Sequence, residues 1–282
     1  MIKINNVSIS QNHFPDNTLM LLDFPVDKVK TENRNTIEWH YENDAELFTL
    51  ICVVKHVFEK FPDVKLSLYV PFFPHSRMDR TKKASEVFTL KYFCDVINSL
   101  GFDEVYVLDP HSNVTPALIK NVRVLQPNGI VMEVVSKLDF HESDYLYFPD
   151  EGAYKRYGDL FPAKKNVLIG HKVRDWETGQ IKGLRITTPE GYEPDEFQCM
   201  GRNVLMIDDI ISYGGTLAYS ADELKKLGFK HIYAYATHTE NSVLDPEKGT
   251  LLKRLEDGTV DHIYTTCSTY TGTHDKITAF TA

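Results

Sequence analysis

The chain has 282 residues, of which 31 are lysine or arginine and 40 are aspartate or glutamate, so its net charge at pH 7 is −9. Hydrophobic residues make up 42% of the chain and charged residues 25%, which is typical of globular proteins and excludes a disordered chain. The acidic balance argues against a dedicated nucleic-acid-binding protein. The length suggests two domains of about 150 residues each.

Membrane, secreted and disulfide-rich proteins are also disfavoured. No apolar run approaches the roughly 18 residues of a membrane span, and the N-terminal segment MIKINNVSIS has neither the basic start nor the apolar stretch of a secretory signal. The four cysteines are scattered and form no C-x-x-C pair, so neither a zinc ribbon nor a disulfide scaffold is expected. We therefore expect a cytoplasmic protein that binds neither membranes nor nucleic acid.

Helical and strand-like patterns alternate along the whole chain. In the first half, the apolar spacing predicts a helix at 44–60, a strand at 65–71, a helix at 86–100 closed by Gly101, and a strand at 104–109. In the second half, it predicts strands at 144–148, 166–170, 203–207, 231–237 and 263–269, and a helix from Thr216 to Leu227 that stops at Gly228. This alternation is typical of α/β proteins, whose mainly parallel sheets lie between helices.

The polar stretch KLDFHESD predicts the domain boundary, which gives domains at 1–138 and 139–282. In the first helix, the spacing places Leu47, Phe48, Ile51, Val54 and Phe58 on one face. Ligands of parallel sheets bind at the carboxyl ends of the strands, so polar residues that follow a strand are the first candidates for a functional site.

The segment NVLMIDDIISYGGTLAYS, residues 203–220, carries the most specific signal. It predicts a strand that ends at Asp208 and Asp209, then a loop with two glycines, and then a helix that opens at Thr216. Glycines and a helix N-terminus suit an anion, because both bring backbone N–H groups close to it. Carboxylates suit sugar hydroxyls or a cation that bridges to phosphate. The segment predicts a sugar-phosphate site; the alternative is an ordinary turn with Thr216 as N-cap.

This segment resembles the phosphoribosyl-pyrophosphate loop of type I phosphoribosyltransferases and ribose-phosphate diphosphokinases. Further segments resemble the diphosphokinases, in the same order along the chain: PFFPHSRMDR (71–80), VLDPHS (107–112), YFPDEGAYKR (147–156), LIGHKVRD (168–175) and YATH (235–238). The resemblance covers roughly residues 44–280. It implies two phosphoribosyltransferase-like domains, each a mainly parallel sheet flanked by helices.

The resemblance also implies a reaction. The β,γ-diphosphoryl group of ATP moves to the anomeric hydroxyl of ribose 5-phosphate, which gives AMP and phosphoribosyl pyrophosphate for nucleotide biosynthesis. It implies Mg²⁺ as cofactor, ATP and a ribose phosphate as partners, and a homo-oligomer, either a dimer or a hexamer. The implied catalytic residues are Lys172 and Arg174. The implied binding residues are Arg77, Met78, Arg80 and His111 for ATP; Asp208, Asp209, Ser212, Tyr213, Gly214, Gly215 and Thr216 for the sugar phosphate; and Asp109, His111 and Asp150 for the metal.

Each of these residues also has a simpler interpretation when taken alone. Arg77 and Arg80 could form a solvated face, His111 could be structural, and the two catalytic candidates could lie on an ordinary surface. Asp150 could cap the helix that follows it.

Two loop residues depart from the family pattern D-D-x-x-D-T-G-G-T, since Ser212 replaces an aspartate and Tyr213 a threonine. A bulky aromatic side chain could stack on a group attached to the 5-phosphate, so ADP-ribose is an alternative acceptor. Tyr213 could equally point to solvent while backbone N–H groups hold the phosphate. Met78 stands where the ATP segment usually has glutamine.

Two further classes stay open. A phosphoribosyltransferase that consumes the activated sugar would not need Arg77, Arg80 or His111. A non-catalytic regulatory relative would be expected to lack the basic pair or the adjacent aspartates, which this chain retains.

Overall fold

The computed structural model describes residues 1–138, 140–161, 166–174 and 181–282 of the chain. The side chains of residues 173, 174, 181 and 182 lie outside this description. No helix in the described part of the chain is long and apolar enough to cross a membrane.

The chain divides into two compact units, Met1–Gln126 and Pro127–Ala282. The sequence analysis placed the boundary later, after residue 138. The difference is the helix Asn128–Lys137, which belongs to the second unit because its residues Val131 and Val134 are buried in the core of that unit.

The first unit is built on a sheet of six strands within the described residues, in the order β2-β1-β5-β6-β7-β8. The four strands from β5 to β8 are parallel, and β1 and β2 add antiparallel pairs at one edge. Strands β3 and β4 form a separate hairpin. The strands are β1 Ile2–Ile4, β2 Val7–Ser8, β3 Asn12–His13, β4 Leu19–Met20, β5 Asn35–Trp39, β6 Leu66–Val70, β7 Glu104–Leu108 and β8 Val122–Leu125, and the helices are α1 Ala45–Lys60, α2 Thr89–Ser99 and α3 Val114–Leu118.

Helix α1 packs on the core of this unit through a face that matches the predicted one in part, since Val54 is buried and Leu47, Ile51 and Phe58 are partly buried against that core. The buried apolar residues are Leu50, Val53, Val54 and Val57, whereas Phe48 is 60% exposed. The prediction was wrong for Phe48 because apolar residues surround most of this helix, so periodicity alone does not select the stripe that meets the sheet.

The second unit is built on a sheet of seven strands within the described residues, in the order β11-β10-β9-β12-β13-β14-β15. All neighbouring pairs are parallel except β10 with β11. The strands are β9 Tyr145–Phe148, β10 Val167–Arg174, β11 Ile181–Thr187, β12 Asn203–Ile211, β13 His231–Thr239, β14 His262–Thr266 and β15 Ile277–Phe280, and the helices are α4 Asn128–Lys137, α5 Glu151–Tyr157, α6 Glu196–Cys199, α7 Gly215–Lys226 and α8 Thr250–Glu256.

Two apolar clusters cover the two faces of this sheet. Along β12, Met206 belongs to the cluster that contains residues of α7 and α8, and its neighbours Leu205 and Ile207 belong to the cluster with residues of α4 and α5. Successive side chains of a strand point to opposite faces, so helices flank both faces of the sheet. Each unit thus has a mainly parallel sheet flanked by helices, which confirms the predicted fold class.

Strand β12 runs further than the sequence analysis predicted. Asp208 and Asp209 lie inside it rather than after it, because the ladder to β13 continues through the pairs Asp208 with Ala236 and Ile210 with His238. The prediction was wrong because aspartate is rare in strands, whereas here the neighbouring strand supplies the hydrogen bonds. The two adjacent carboxylates therefore point to opposite faces of the sheet.

Candidate functional site

The loop between β12 and α7 depends on Gly214, which is the N-cap of the helix. Its φ of 78° lies in the left-handed region that favours glycine. A Cβ atom at this position would lie 2.3 Å from Cβ of Leu251, so both backbone conformation and space require glycine. The alternative in which Thr216 is the N-cap is wrong, since Thr216 lies inside the helix.

Helix α7 directs its N-terminus towards this loop. The N–H groups in the first turn of a helix have no intrahelical acceptor, and the helix dipole adds partial positive charge there. Gly215 and Thr216 are the first two helical residues. A Cβ at Gly215 would meet its nearest neighbour, Oγ1 of Thr250, only at 3.7 Å. The loop therefore offers backbone donors in an open position, which is an arrangement that binds phosphate groups.

Tyr213 contributes its backbone to the loop and leaves its ring at the surface. Its carbonyl oxygen accepts hydrogen bonds from N and Oγ1 of Thr250, both at 2.9 Å. The side chain is 40% exposed, and Nζ of Lys248 lies 6.0 Å from the ring centroid. An exposed aromatic ring with a neighbouring cation therefore stands beside the backbone donors.

The surroundings of Asp208 destabilise the ionised form of its carboxyl group. Burial raises the pKa of its carboxyl well above the usual range, and the neighbouring charge of Asp209 raises it further. The backbone N–H of Asp209 donates to Oδ1 of Asp208 at 2.9 Å, which partly offsets this. A carboxylate held in this way gains stability from hydroxyl donors or from a cation, so Asp208 is suited to bind sugar hydroxyls.

Asp209 has a different environment. It is only 7% exposed, and its Oδ2 atom lies 3.3 Å from Nη1 of Arg156 on helix α5. A buried carboxylate needs such a partner, because an unpaired buried charge is strongly destabilising. Of the two adjacent aspartates, Asp208 is thus the one that faces the α7 side, and Asp209 ties strand β12 to helix α5.

Asp150 follows strand β9, and Lys172 lies in the neighbouring parallel strand β10, which pairs with β9 through Phe148 and Ile169. Oδ1 of Asp150 accepts a hydrogen bond from the N–H of Ala153 at 3.1 Å, so Asp150 is the N-cap of α5. Its Oδ2 atom lies 3.8 Å from Nζ of Lys172. The capping interpretation is therefore correct, and the same carboxylate also faces the candidate catalytic lysine.

Arg174, the second candidate of the basic pair, is the last residue of β10, at an irregularity in the pairing with β11. Its side chain lies outside the described residues.

The candidate ATP-binding residues lie in the first unit, after strands β6 and β7. These strands are parallel neighbours, with Val70 opposite Val107, so the segments that follow them start at the same edge of the sheet. Arg77, Met78 and Arg80 are exposed on the segment after β6, and Nε of Arg80 lies 3.2 Å from Oδ1 of Asp79. The guanidinium groups of Arg77 and Arg80 therefore lie at the surface.

Asp109 and His111 lie on the segment after β7. Asp109 is 2% exposed and has a φ of 42°, and His75, on the segment after β6, has a φ of 60°. Such backbone conformations cost about 1 kcal/mol or more in non-glycine residues and cluster at functional sites. His111 is half-buried. Both strained positions therefore mark the edge where the sequence analysis predicts ATP binding.

In the described part of the chain, no group of three or more His, Cys, Asp or Glu residues is gathered closely enough to hold a metal ion by itself. Asp109 and His111 belong to the first unit and Asp150 to the second. Magnesium usually takes one or two carboxylates from a protein and completes its octahedral shell with waters and substrate phosphates. The donors present fit that mode of binding, and they do not form a cage of protein ligands.

The loop and its surroundings can be compared with known proteins. No protein-family model matches the chain. The ribose-phosphate pyrophosphokinase of Thermococcus kodakarensis is 30% identical over 204 residues, which cover 70% of this chain and 66% of that protein. That of Pyrococcus abyssi is 31% identical over 179 residues, covering 62% and 57%. The chain therefore matches somewhat less than two thirds of the length of these relatives.

A crystal structure of the phosphoribosylpyrophosphate synthetase from Mycobacterium smegmatis has the same fold, with a TM-score of 0.74 over 97% of this chain and 86% of that one, at 15% identity. The chain is similar in sequence to ribose-phosphate pyrophosphokinases and has the fold of a phosphoribosylpyrophosphate synthetase. This agrees with the resemblance found in the sequence, and it also extends the shared fold to both units of the chain.

Sequence analysis did not identify some of the residues that surround the loop between β12 and α7. Arg156 lies within the recognised segment YFPDEGAYKR, but its partner Asp209 was not expected to be buried. Glu240, Ser242 and Thr250 contact the loop between β12 and α7 or the end of strand β12. Their position in the segment after β13 could have identified them, because β13 was recognisable from the sequence as a strand of the same sheet.

Proposed function

We propose that this protein is an ATP-dependent ribose-phosphate diphosphokinase. It transfers the β,γ-diphosphoryl group of ATP to the anomeric hydroxyl of ribose 5-phosphate and releases AMP and phosphoribosyl pyrophosphate. The observation that carries the proposal is the loop in which Gly214, packed closely against Leu251, opens the N-terminus of α7, the helix on the face of the sheet towards which Asp208 points. Sequence similarity to ribose-phosphate pyrophosphokinases supports it.

The sugar phosphate binds in the second unit. The 5-phosphate accepts hydrogen bonds from the backbone N–H groups of Gly215 and Thr216, where the helix dipole favours an anion. The carboxylate of Asp208 accepts hydrogen bonds from ribose hydroxyls. These bonds stabilise its charged form and so offset the loss of solvation that raises its pKa. These contacts hold the sugar in a fixed orientation, which is the main contribution of a protein to phosphoryl transfer.

The reacting groups are an oxygen and a phosphorus atom. The oxygen of the anomeric hydroxyl forms a bond to the β-phosphorus of ATP, the bond from that phosphorus to the α,β-bridging oxygen breaks, and AMP leaves with that oxygen. The hydroxyl proton is lost to solvent or a base. The ammonium of Lys172, now 3.8 Å from Asp150, neutralises charge on the transferring phosphate. Arg174 is proposed for the same task by its position in the family segment.

ATP binds in the first unit through Arg77, Arg80 and His111, and Met78 lies on the same segment. Arginine suits this task because its planar guanidinium binds phosphate oxygens in pairs and stacks on adenine. The exposure of both arginines supports a role in ligand binding.

We also propose Mg²⁺ as the cofactor. Asp109 in the first unit and Asp150 in the second are the carboxylates that would hold such ions, and His111 would contribute through bound water. When bound, the metal neutralises charge on the phosphates of ATP.

One observation favours a second acceptor. The exposed ring of Tyr213, with Lys248 beside it, stands next to the donors that would hold the 5-phosphate. A ring and a cation could bind a nucleotide attached to that phosphate by stacking and by charge, as ADP-ribose would require. The chemistry at the anomeric hydroxyl would be the same.

A product assay tests both versions. The protein is incubated with ATP, Mg²⁺ and either ribose 5-phosphate or ADP-ribose, and AMP release and product mass are measured. AMP together with phosphoribosyl pyrophosphate supports the main proposal. Release of AMP with ADP-ribose but not with ribose 5-phosphate would show that ADP-ribose is the acceptor and would leave the proposed chemistry unchanged. The absence of AMP with both acceptors would contradict the proposal and favour a regulatory relative.

A further inference from the structure

A segment that follows β13 binds the sugar-phosphate loop from one side. The backbone N–H of Glu240 donates to the carbonyl of Ile211 at 2.8 Å, and Thr250 at the far end of the segment donates twice to Tyr213. Gly249 permits this path, since a Cβ there would lie 2.5 Å from the carbonyl oxygens of Val243 and Asp245. The segment 240–250 is therefore held against the loop between β12 and α7 by hydrogen bonds at both of its ends.

A chain of three side chains connects this segment to the loop. Oγ of Ser212 lies 3.2 Å from Oγ of Ser242, and Oγ of Ser242 donates to Oε2 of Glu240 at 3.1 Å. All three side chains are half-buried. We refer to Ser212, Ser242 and Glu240 as the hydrogen-bond chain.

The order of donors in this chain follows from chemistry. A carboxylate can only accept hydrogen bonds, and a hydroxyl has one proton to donate. Since Ser242 gives its proton to Glu240, the bond between the two serines must use the proton of Ser212. Because the proton of Ser212 is used in this bond, the Ser212 hydroxyl can meet a ligand only as a hydrogen-bond acceptor.

An acceptor at this position discriminates between the two parts of a sugar phosphate. Phosphate oxygens are themselves acceptors and would be repelled by lone pairs, whereas ribose hydroxyls can donate. Resting on the proposed function, we propose that Glu240 and Ser242 are positioning residues that hold Ser212 as a hydrogen-bond acceptor for a ribose hydroxyl of the substrate. Ser212 then belongs to the sugar part of the site, and the backbone of Gly215 and Thr216 to the phosphate part.

A simpler account is that the hydrogen-bond chain only fastens the loop. The two accounts differ for an aspartate at position 212, because a carboxylate is an acceptor without any help from Ser242. If the chain sets the direction of the Ser212 proton, Ser212→Asp makes Ser242 dispensable. If the chain only fastens the loop, removal of Ser242 weakens the loop in either background.

The experiment compares the wild type with S242A, S242T, S212D and the double variant S212D/S242A. We expect S242A to raise KM for the ribose acceptor about tenfold, the value of one good hydrogen bond, and to leave KM for ATP unchanged. S242T keeps a hydroxyl and should stay close to the wild type. The double variant should match S212D. Affinity for inorganic phosphate should be the same in the wild type and in S242A.

The matched control is Thr271→Ala. Its hydroxyl accepts a hydrogen bond at 2.7 Å from Asn241, the residue between Glu240 and Ser242, but it takes no part in the hydrogen-bond chain. We expect T271A to keep the wild-type KM for the acceptor. An equal rise in KM for S242A and T271A would overturn the proposal, as would a further loss on adding S242A to S212D.

A direct titration separates this proposal from the proposed reaction. Binding of ribose 5-phosphate to the wild type and to S242A can be measured by calorimetry without turnover. If the wild type releases no AMP but binds ribose 5-phosphate about tenfold more tightly than S242A, the reaction is wrong and the role of the hydrogen-bond chain stands. Equal binding by both proteins, or no binding by the wild type, would overturn that role.

Discussion

Nζ of Lys172 lies 3.8 Å from Oδ2 of Asp150, while the other oxygen of the same carboxylate caps helix α5. The aspartate follows β9 and the lysine lies in the adjacent parallel strand β10, so the sheet itself brings them together. Asp150 thus holds the ammonium of Lys172, which in the proposed reaction would exchange this partner for a phosphate.

The first prediction concerns the role of Lys172. Lys172→Ala should lower kcat by about 10²–10³-fold, because a cation that neutralises charge in the transition state contributes about 3–4 kcal/mol. KM for the sugar phosphate should change little, since Lys172 does not contact the ribose in the proposed arrangement. Steady-state kinetics separate the two constants. Equal losses in binding and turnover would contradict a role in the transition state.

The second prediction concerns pH and stability at Asp208. Its pKa is raised in the folded protein above the ordinary value of 3.8, mainly by burial. The folded state therefore holds this proton more tightly than the unfolded chain, and stability is lost as pH rises from about 3.8 through the folded-state pKa. Asp208→Asn has no proton to lose, so it should raise Tm by roughly 2–4 °C at pH 7.5, with little gain at pH 4.

Asp245→Asn is the matched control for this measurement. Backbone N–H groups of Lys248 and then of Glu247 lower the pKa of Asp245, so its carboxylate is favoured in the folded state. Its replacement should not raise Tm at pH 7.5. A D208N protein that is less stable than the wild type at pH 7.5 would contradict the electrostatic cost assigned to Asp208.

The third prediction concerns the loop glycine. Gly214→Ala places a Cβ in a left-handed backbone and against Leu251, which should cost about 1–3 kcal/mol. Thermal unfolding should show a lower Tm, and phosphate binding should weaken with it. Gly129→Ala serves as control, because a Cβ there meets nothing within 4 Å. Equal stability of the two variants would show that the loop does not depend on this conformation.

The fourth prediction concerns the buried ion pair. Arg156→Met should destabilise the protein by about 1–3 kcal/mol, because it leaves Asp209 charged and buried without that partner. Adding Asp209→Asn should recover much of the loss, since the two residues are coupled. Chemical denaturation of the single and double variants measures this coupling. Strictly additive effects would mean that the pair does not interact.

The fifth prediction concerns the ring of Tyr213. Tyr213→Thr should leave KM for ribose 5-phosphate within about twofold, because only the backbone carbonyl of this residue supports the loop. Kinetics with ribose 5-phosphate and with ADP-ribose should be compared. A selective loss of ADP-ribose turnover would assign the ring to a 5-substituted acceptor, and a tenfold loss with ribose 5-phosphate would contradict the backbone role.

Much of the fold could be predicted because its strands are short, apolar and bounded by polar residues. The buried runs 144–148 and 203–207 are recognisable from composition alone. The end of β12 was not, because its last residues include two aspartates whose strand conformation depends on hydrogen bonds from β13. The buried face of α1 was found only in part, since apolar residues surround most of this helix.

The candidate site was predictable where one local segment supplies it. Gly214, Gly215 and Asp208 follow one another along the chain, so their pattern is recognisable. The contacts of Ser212 with Ser242, and of Asp209 with Arg156, join residues distant in sequence. Their geometry is set by the order of strands in the sheet, which the pattern of a single segment does not contain.

The most direct test of the proposed reaction is to follow the β-phosphorus of ATP. The protein is incubated with Mg²⁺, ribose 5-phosphate and ATP that is radiolabelled at the β-phosphate, and the products are separated. The proposed diphosphoryl transfer predicts that the label leaves ATP in the sugar product and that the released nucleotide is unlabelled AMP. Labelled ADP as the product would show transfer of the γ-phosphoryl group alone and would contradict the proposal.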